Sequence, residues 1–344
     1  MINVGVVGYG FAGRSFHSYL INRVPDLKLV AVATRSPERQ SLAQREYGVA
    51  TYGSLADMLA HSDVDLVVIA TPHDTHKELA IQAMNAGRNV VVDKVMCLNG
   101  VEADAMIESS KKNDVLLSVF HNRRWDWDYL TVRKAIESGL IGSPYLFEVA
   151  IVRYRASRGW RNEAEAGGGI LYDWGAHLID HALGLVPSRI VSVTCDIQYR
   201  GWGAEIGSYA RLLLRFQSDV LYSIELGNLA RCDKPRWLVL GETGSLVKTG
   251  LDPQEPAMLA GNIEAAVELP ENRARITTDV QGFATEMVID SVKSDWTNYY
   301  RNIADALQGR AGLLVKPEQV RRSIAVLDAA TASARTGETV KVGV

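Results

Sequence analysis

Two segments of the sequence carry residues whose types and spacing suit proton transfer, and the first ends a strand. The run NVVVDKV, residues 89–95, is a buried strand pattern that stops at Asp93 and Lys94. A lysine at such a rim loses hydration, which favours its neutral form, whereas the adjacent carboxylate favours the charged form. The amine can therefore be tuned as a proton donor or acceptor. On its own, a strand-terminal lysine is more often a surface charge, so a partner group is required.

The second segment is GGGILYDWGAHLIDH, which predicts a helix after three glycines. Asp173 and His177 are four residues apart and so lie on one helix face, where an aspartate can orient an imidazole and stabilise its charged form. The alternative is a salt pair on the helix surface. Glycines 167–169 favour a functional site, because they are costly unless the backbone must approach another group closely.

A third motif, GYGFAG at residues 8–13, follows the first predicted strand and begins the first helix. Gly8 permits a tight turn, Gly10 lets the backbone approach a pyrophosphate, and Gly13 allows close helix packing. The helix N-terminus adds unpaired N–H groups and a positive dipole. The motif in this context predicts dinucleotide binding.

The end of the second strand favours NADP, with NAD possible. Enzymes that use NAD usually carry an acid there, but this chain has Thr34, Arg35 and Ser36. A guanidinium and hydroxyls would bind a ribose phosphate that an acid would repel. The alternative is that Arg35 is a solvated loop charge.

The elements that position these motifs change in character near residue 122. Before it, strand runs such as LKLVAVAT and DLVVIAT alternate with helical patterns, and their continuous hydrophobicity predicts a doubly wound parallel sheet. The loop ATPHDTH lies at the same carboxyl edge, where Pro72 can support the cofactor and His73 and His76 are typical of loop and helix-start residues.

After residue 122, alternating strands such as YLFEVAIVRYR and SYARLLLRF follow one another, which predicts a large, mostly antiparallel open sheet. Helical patterns at 171–185 and 295–335 flank it. We thus expect an α/β protein with a Rossmann dinucleotide-binding domain, 1–122. An α+β substrate-binding and oligomerisation domain, 123–344, follows, with a last helix able to pack back on the first domain. An exposed sheet face predicts a homodimer or homotetramer through this sheet.

Composition excludes several classes of protein. The 344 residues predict two domains, and 47% hydrophobic with 22% charged residues is typical of a globular protein. A net charge of −3 gives no reason to expect a nucleic acid or membrane partner. No export signal follows Met1, and the three scattered cysteines fit thiols in a reducing cytoplasm better than disulfides or a metal site.

In order along the chain, GYGFAG, ATPHDTH, VVVDKV, HNRRWD, WRNE and GGGILYDWGAHLID resemble the Gfo/Idh/MocA oxidoreductases, over essentially the whole chain. The segments GFAGRSFH and SVFHNRRWDWDYLT are most similar to the NADP-dependent scyllo-inositol dehydrogenase branch. Lys94 matches the lysine of the family's Glu-Lys-Pro motif, with Asp93 and Val95 in place of glutamate and proline. Asp173 and His177 match its Asp-x-x-x-His pair.

The resemblance implies reversible hydride transfer between a nicotinamide and a secondary hydroxyl of a polyol or cyclic sugar. It implies that His177 is the general base, Asp173 its orienting partner, and Lys94 the group that stabilises the alkoxide and relays the proton. Expected cofactor-binding residues are Gly8, Gly10, Phe11, Ala12, Gly13, Thr34, Arg35, Ser36, Thr71, Pro72, His73, His76, Asp93, Lys94, Asn122, Trp160 and Arg161. Expected substrate-binding residues are Lys94, Arg123, Tyr154, Arg155, Asp173 and His177. Any one of the arginines is as readily a surface charge as a ligand.

Two other functions are compatible with the fold. One is a nucleotide-binding regulator or sensor that has lost the chemistry, which the altered DKV motif keeps open. Retention of the lysine, aspartate and histidine together argues against it. The other is an oxidoreductase acting on biliverdin or an imine, which would not need the Asp-His helix pair.

Overall fold

The computed structural model of the protein describes residues 1–157, 159–203 and 205–344. The chain divides into two compact units. Unit 1 contains residues 1–122 and 296–324, and unit 2 contains residues 123–295 and 325–344.

Unit 1 is built on a six-stranded sheet in the order β3-β2-β1-β4-β5-β6, in which every pairing is parallel. Three strands, β4, β5 and β6, are buried along almost their whole length, as expected of a parallel sheet covered on both faces. The strands are β1 (Ile2–Val7), β2 (Leu27–Ala33), β3 (Ala50–Tyr52), β4 (Leu66–Ile69), β5 (Asn89–Val92) and β6 (Leu117–Val119).

Helices follow these strands in turn, and several begin at a side-chain cap. Ser36, Ser54 and Asn99 each accept a backbone N–H in the first turn of the helix that follows them. The helices are α1 (Tyr19–Ile21), which continues a π-helical turn at Gly13–Ser18, α2 (Pro37–Tyr47), α3 (Leu55–His61), α4 (His76–Asn85) and α5 (Gly100–Lys112).

Unit 2 is built on a nine-stranded sheet in the order β14-β13-β12-β11-β7-β10-β9-β8-β15. All pairings are antiparallel except β7 with β10, so the predicted fold class is confirmed for both sheets. The strands are β7 (Pro144–Val152), β8 (Ile190–Gln198), β9 (Tyr209–Phe216), β10 (Leu221–Gly227), β11 (Trp237–Gly241), β12 (Gly244–Lys248), β13 (Ala274–Val280), β14 (Phe283–Ile289) and β15 (Val340–Lys341).

Three helices lie between these strands or before them: α6 (Trp127–Glu137), α7 (Ala176–Leu185) and α8 (Gln254–Leu259). The helical pattern at 295–335 is two helices, α9 (Thr297–Leu307) and α10 (Pro317–Thr336), because Gly309 has a positive φ and Pro317 starts a new helix. Helix α9 belongs to unit 1, where its tyrosines pack against Phe120.

A cluster of buried charges lies in the core of unit 2. Carboxylate oxygens of Asp126, Asp128 and Asp252 come within 4.8 Å of one another. Arg123 pairs with Asp126 at 3.2 Å, and Arg236 pairs with Asp128 at 2.9 Å. The cluster is therefore an ion-pair network in which guanidinium groups compensate Asp126 and Asp128. Distant parts of the sequence contribute to it, so spacing could not reveal it.

No helix among the described residues is both long and apolar enough to cross a membrane. Cys97, Cys195 and Cys232 are free thiols, and the first two are buried. Burial raises the pKa of the Cys195 thiol to about 12, which makes this sulfur unreactive at neutral pH.

Asp252 gives the ion-pair network a testable pH dependence. Burial and the charge of Asp128 raise the pKa of Asp252 to about 6, although backbone N–H groups of Trp127 and Gln254 oppose the shift. Stability gained from a raised pKa is present below the ordinary carboxyl pKa and is lost as the pH rises through 6. The Asp252→Asn variant lacks this loss. Its unfolding free energy relative to wild type should therefore increase by about 2 to 3 kcal/mol between pH 4 and 7, measured by urea denaturation.

Asp128→Asn is the matched control with the opposite sign. Burial alone would raise the pKa of Asp128, but the charges of Arg236 and His181 and the hydrogen bond from Trp237 together offset it and lower the pKa. The loss of unfolding free energy in Asp128→Asn relative to wild type should be largest at pH 7 and become smaller as the pH falls. A pH-independent difference between Asp252→Asn and wild type would contradict the interpretation.

Candidate functional site

The carboxyl edge of the parallel sheet gathers every residue of unit 1 that the sequence marked for the site. Residues 8–13 follow β1, residues 34–36 follow β2, residues 71–76 follow β4, and Asp93 with Lys94 follows β5. Asn122 lies just beyond β6. Open parallel sheets bind their ligands at this edge.

The glycine-rich loop has the backbone geometry that a dinucleotide requires. Gly8 has a φ of +92°, and an added Cβ would lie 2.4 Å from the Ala70 carbonyl oxygen. A Cβ on Gly13 would lie 1.9 Å from the Gly8 carbonyl oxygen, so the helix start packs directly on the turn. By contrast, a Cβ on Gly10 would meet only the Arg39 guanidinium, at 3.8 Å. The open side of the loop is thus at Gly10, where a phosphate can approach the backbone.

Other residues of this loop differ in exposure. Phe11 is 54% exposed and makes an edge contact with Phe16, whose ring stacks on Trp296. Ala12 precedes the π-helical turn Gly13–Ser18. An exposed aromatic side chain beside Gly10 offers an apolar surface to a ligand.

At the end of β2, the side chains form a helix cap and a cationic surface. The Ser36 hydroxyl accepts the Arg39 N–H at 3.3 Å, and the Thr34 hydroxyl accepts the Ser36 N–H at 3.4 Å. Arg35 and Arg39 are both exposed. Arg39 is a candidate that sequence reasoning missed, because only the first turn of α2 brings its guanidinium beside Gly10.

The loop after β4 holds the turn that carries Lys94. His73 is buried and donates its Nε2–H to the Lys94 carbonyl at 3.1 Å. The ring nitrogens of the fully buried His76 lie 2.8 Å from the Val95 carbonyl oxygen and 3.0 Å from the Thr71 carbonyl oxygen. Burial lowers the pKa of His76. Both histidines therefore bind backbone carbonyls and fix the lysine turn.

Pro72 and Thr71 shape the start of the same loop. The Thr71 and Thr75 hydroxyls are 2.6 Å apart, and the Thr75 hydroxyl donates to the Pro72 carbonyl. These bonds close the single helical turn His73–Thr75 that leads into α4. The loop backbone is thereby fixed beside the end of β4.

Asp93 is buried beside the lysine that it precedes. Its Oδ1 atom accepts the Lys94 backbone N–H at 2.8 Å. Burial alone would raise the pKa of Asp93, but the nearby imidazole of His17, with the charge of Lys94, lowers it below its ordinary value. The peptide bond between Lys94 and Val95 is cis. Lys94 is partly exposed.

Asn122 adds a polar group at the same edge. Its side chain is 3% exposed, and its Nδ2 atom is buried without a hydrogen-bond acceptor among the described residues. Leaving such an amide unsatisfied costs about 1 to 3 kcal/mol. A ligand carbonyl would satisfy it.

In unit 2, Asp173 lies between two arginines. Its carboxylate oxygens are 3.7 Å from Arg153 Nη2 and 3.5 Å from Arg161 Nε. Arg161 also lies over the Trp160 ring, 4.5 Å from its centroid. Asp173 belongs to a π-helical turn, Leu171–Gly175, which continues directly into α7. Such turns are frequent at functional sites.

The glycines before this turn are required by the chain's own backbone. A Cβ on Gly168 would lie 2.6 Å from the carbonyl oxygens of Arg161 and Glu163, and one on Gly169 would lie 2.1 Å from the Ile206 carbonyl oxygen. Gly169 donates its N–H to the Arg161 carbonyl at 3.1 Å. The glycines thus bring the segment carrying Arg161 against the start of the helix that carries Asp173.

His177 is 3% exposed and lies in the first turn of α7, with its ring 6.0 Å from that of Trp174. The guanidinium groups of Arg123 and Arg153 lie over the Trp174 ring, 4.3 and 5.5 Å from its centroid. One turn further along α7, Asp180 makes a bidentate pair with Arg124. These contacts fix the orientation of the helix.

The remaining predicted substrate residues differ in setting. Arg123 is 7% exposed and is already paired with Asp126 and Glu255, which indicates a supporting role. Tyr154 is 46% exposed, with its ring edge on Trp202. Arg155 is exposed, so its guanidinium is accessible.

These features fit a bound dinucleotide. The open side at Gly10 can accept phosphates, the exposed arginines after β2 can bind further negative charge, and the Asn122 amide requires an acceptor. Lys94 in unit 1, and Asp173 and His177 in unit 2, carry groups that can transfer protons.

Comparison with known proteins agrees with this geometry. Residues 2–121 match the family described as "Oxidoreductase family, NAD-binding Rossmann fold", and residues 129–247 match the "GFO/IDH/MocA C-terminal domain". The chain is 30% identical to the Bacillus subtilis scyllo-inositol 2-dehydrogenase (NADP(+)) IolW, over 98% of this chain and 95% of that protein.

Two solved structures that resemble this chain are also oxidoreductases. An oxidoreductase from Klebsiella pneumoniae is 36% identical with a TM-score of 0.88, covering 99% of this chain and 95% of that one. The Bacillus subtilis oxidoreductase yvaA is 29% identical with a TM-score of 0.92, covering 99% and 98%. With both halves matched and the fold shared along its length, the chain belongs to the Gfo/Idh/MocA family of oxidoreductases.

Proposed function

We propose that the protein is an NADP-preferring dehydrogenase that transfers hydride between the nicotinamide and a secondary hydroxyl of a polyol or cyclic sugar. The observation that carries the cofactor preference is the end of β2, where two exposed arginines, Arg35 and Arg39, replace the acid that would hold an unphosphorylated ribose. The name of the related IolW, an NADP-dependent inositol dehydrogenase, supports the substrate class.

The roles of the proposed catalytic residues follow from their chemistry. A nicotinamide bound here would supply reversible hydride exchange with the substrate carbon. His177 takes the hydroxyl proton during oxidation, and Asp173 binds a substrate hydroxyl while Arg153 and Arg161 hold its carboxylate. Lys94 stabilises the developing alkoxide with its ammonium group and relays the proton by giving one of its own toward His177 as it receives the hydroxyl proton.

Further side chains are assigned to binding. The residues proposed to contact the dinucleotide are those at the carboxyl edge of the first sheet together with Trp160 and Arg161. His73 and His76 act there through the backbone that they hold. Tyr154 and Arg155 are proposed to contact the substrate. Arg123 is proposed to support the Trp174 ring, over which its guanidinium group lies.

A sensor without catalytic activity is the alternative. It is not favoured, because a sensor has no need of a buried hydrogen-bond network around the Lys94 turn or of arginines paired with Asp173. Turnover with any polyol would exclude it.

The first prediction concerns catalysis. Lys94→Ala and His177→Asn should each lower kcat by about a thousandfold, because a proton-transfer or charge-stabilising group is lost, while the NADP dissociation constant changes by less than about threefold. Absorbance of the reduced nicotinamide measures turnover against a panel of inositols and aldoses. Lys111→Ala, an exposed lysine of unit 1, is the control and should behave as wild type. Undiminished turnover by Lys94→Ala would refute the mechanism.

A second prediction concerns the cofactor. Arg35→Ala and Arg39→Ala should each weaken NADP binding by about 10- to 100-fold through loss of a charge-assisted hydrogen bond, and leave NAD binding unchanged. Fluorescence titration with each nucleotide gives the dissociation constants. The control is Arg45→Ala, an exposed arginine in the last turn of α2. Equal weakening of NADP and NAD binding would show that Arg35 and Arg39 do not select the cofactor.

We also propose that the protein is a homodimer or homotetramer through the sheet of unit 2. One row across this sheet pairs Leu213, Ser223, Glu148, Leu238, Val247, Arg275 and Val288 on a single face. Leu213 is 42% and Val288 is 57% exposed, so the row offers apolar surface that a second copy would cover.

The corresponding prediction is a change of mass in solution. Wild type should elute with at least twice the mass of the 37.7 kDa chain in light-scattering chromatography. Leu213→Glu combined with Val288→Glu should shift it toward monomer, because charges on the paired face oppose association. Val101→Glu, at a position on α5 that is 81% exposed, should have no effect. A monomeric wild type would contradict the proposal.

A further inference from the structure

A buried chain of polar side chains lies behind the Lys94 turn, and no role has yet been assigned to it. His17, in the π-helical turn that follows the glycine-rich loop, is fully buried. Its Nδ1 atom is 2.6 Å from the Tyr300 hydroxyl, and its Nε2 atom is 3.6 Å from Asp93 Oδ1. All three residues belong to unit 1.

The order of protons along this chain follows from the carboxylate that His17 faces. Nε2 of His17 faces Asp93 Oδ1, which can only accept, so the ring proton lies on Nε2 and Nδ1 accepts a hydrogen bond from the Tyr300 hydroxyl. The same Oδ1 atom accepts the Lys94 backbone N–H at 2.8 Å. The chain therefore ends on the backbone of the proposed catalytic lysine.

The middle residue of this chain, His17, is connected to the dinucleotide loop. His17 lies four residues after Gly13, in the helical segment whose start packs on Gly8. The ring also packs on Phe120, with centroids 4.4 Å apart. A movement of the loop would therefore displace His17, and with it Asp93.

We propose that His17 is a positioning residue for Lys94. Its ring, oriented by Tyr300, holds the Asp93 carboxylate against the Lys94 backbone N–H. The dinucleotide loop and the turn at Lys94 are thereby fixed relative to each other. The effect on turnover rests on the proposed function. The positioning itself does not, because it concerns only contacts within unit 1.

If these buried polar side chains merely stabilised the fold, replacing one of them would lower the unfolding midpoint. Activity would then fall only in proportion to the folded fraction. Loss of positioning lowers kcat in the folded enzyme, because a displacement of about 1 Å at a reacting group can cost about a hundredfold. Nucleotide binding at Gly10 would be largely retained.

Three variants test the chain in the full-length protein. His17→Phe fills the space without a hydrogen bond and should lower kcat by about 30- to 100-fold, with the NADP dissociation constant within about threefold of wild type. His17→Gln places an amide near the position of Nε2 and should restore kcat to within about fivefold of wild type. Tyr300→Phe removes only the hydroxyl and should lower kcat by about 3- to 10-fold.

Tyr299→Phe is the matched control. Tyr299 is equally buried in the same helix, and its hydroxyl binds Ser118 Oγ at 2.9 Å instead of His17. It loses a buried hydrogen bond of the same kind but should leave kcat unchanged. Equal losses in Tyr299→Phe and Tyr300→Phe, or full activity in both Tyr300→Phe and His17→Phe, would overturn the proposal. Tyr300→Phe and His17→Gln keep the test decisive if His17→Phe does not fold.

A second readout separates this proposal from the proposed function. Acetic anhydride labels lysine amines, and mass spectrometry gives the rate at Lys94 relative to Lys111, which is 68% exposed. Release of the turn should make Lys94 label at least about threefold faster in His17→Phe and Tyr300→Phe, but not in Tyr299→Phe. If wild type turns over no polyol, the proposed function fails, and this ratio alone decides the positioning. An unchanged ratio would then refute it.

Discussion

The structure of unit 1 depends on one constraint, that all strands of its sheet run parallel. Their carboxyl ends must therefore share one edge, and every loop that leaves this edge has backbone groups that need partners. In this chain two histidines supply some of them, because His73 binds the carbonyl of Lys94 and His76 that of Val95. The lysine turn is consequently held from the loop after β4.

Glycines serve the same edge by allowing the chain to approach itself. The turn at Gly8 and the helix start at Gly13 are in direct backbone contact, whereas Gly10 is left open. A comparable close approach occurs in unit 2, where Gly168 and Gly169 let carbonyl groups of neighbouring segments lie against the backbone. In both places a π-helical turn follows, at Gly13–Ser18 and Leu171–Gly175. Each proposed ligand-binding helix thus begins in a turn fixed by close backbone packing.

Unit 2 uses buried charges where unit 1 uses histidines. Arg123 and Arg236 lie among carboxylates in the core, and Arg124 binds Asp180 with two hydrogen bonds. Removing one partner of such a pair is costly, because it leaves an uncompensated buried charge. His181 donates to the Arg123 carbonyl, so the network reaches the helix that carries His177. Ion pairs in the core of unit 2 therefore fix the orientation of that helix.

The sequence alone determined the class of fold and the edge at which a dinucleotide would bind. Continuous apolar runs predicted the parallel sheet, and alternating runs predicted the antiparallel one, because burial on two faces or one imposes these patterns. The glycine spacing at residues 8–13 reflects backbone geometry that only glycine permits. The three-residue strand Ala50–Tyr52 was too short to stand out, and one helical pattern proved to be two helices.

Only the tertiary structure decided which side chains support these motifs. His17, Asp93 and Tyr300 are far apart in the sequence, as are Asp126, Arg236 and Asp252, and nothing in their local spacing predicts that they meet. The exposed position of Arg39 beside Gly10 likewise depends on where α2 begins. The reason is physical: periodicity and turn residues report local backbone preference, whereas partners of buried polar groups are chosen by long-range packing, which leaves no periodic trace.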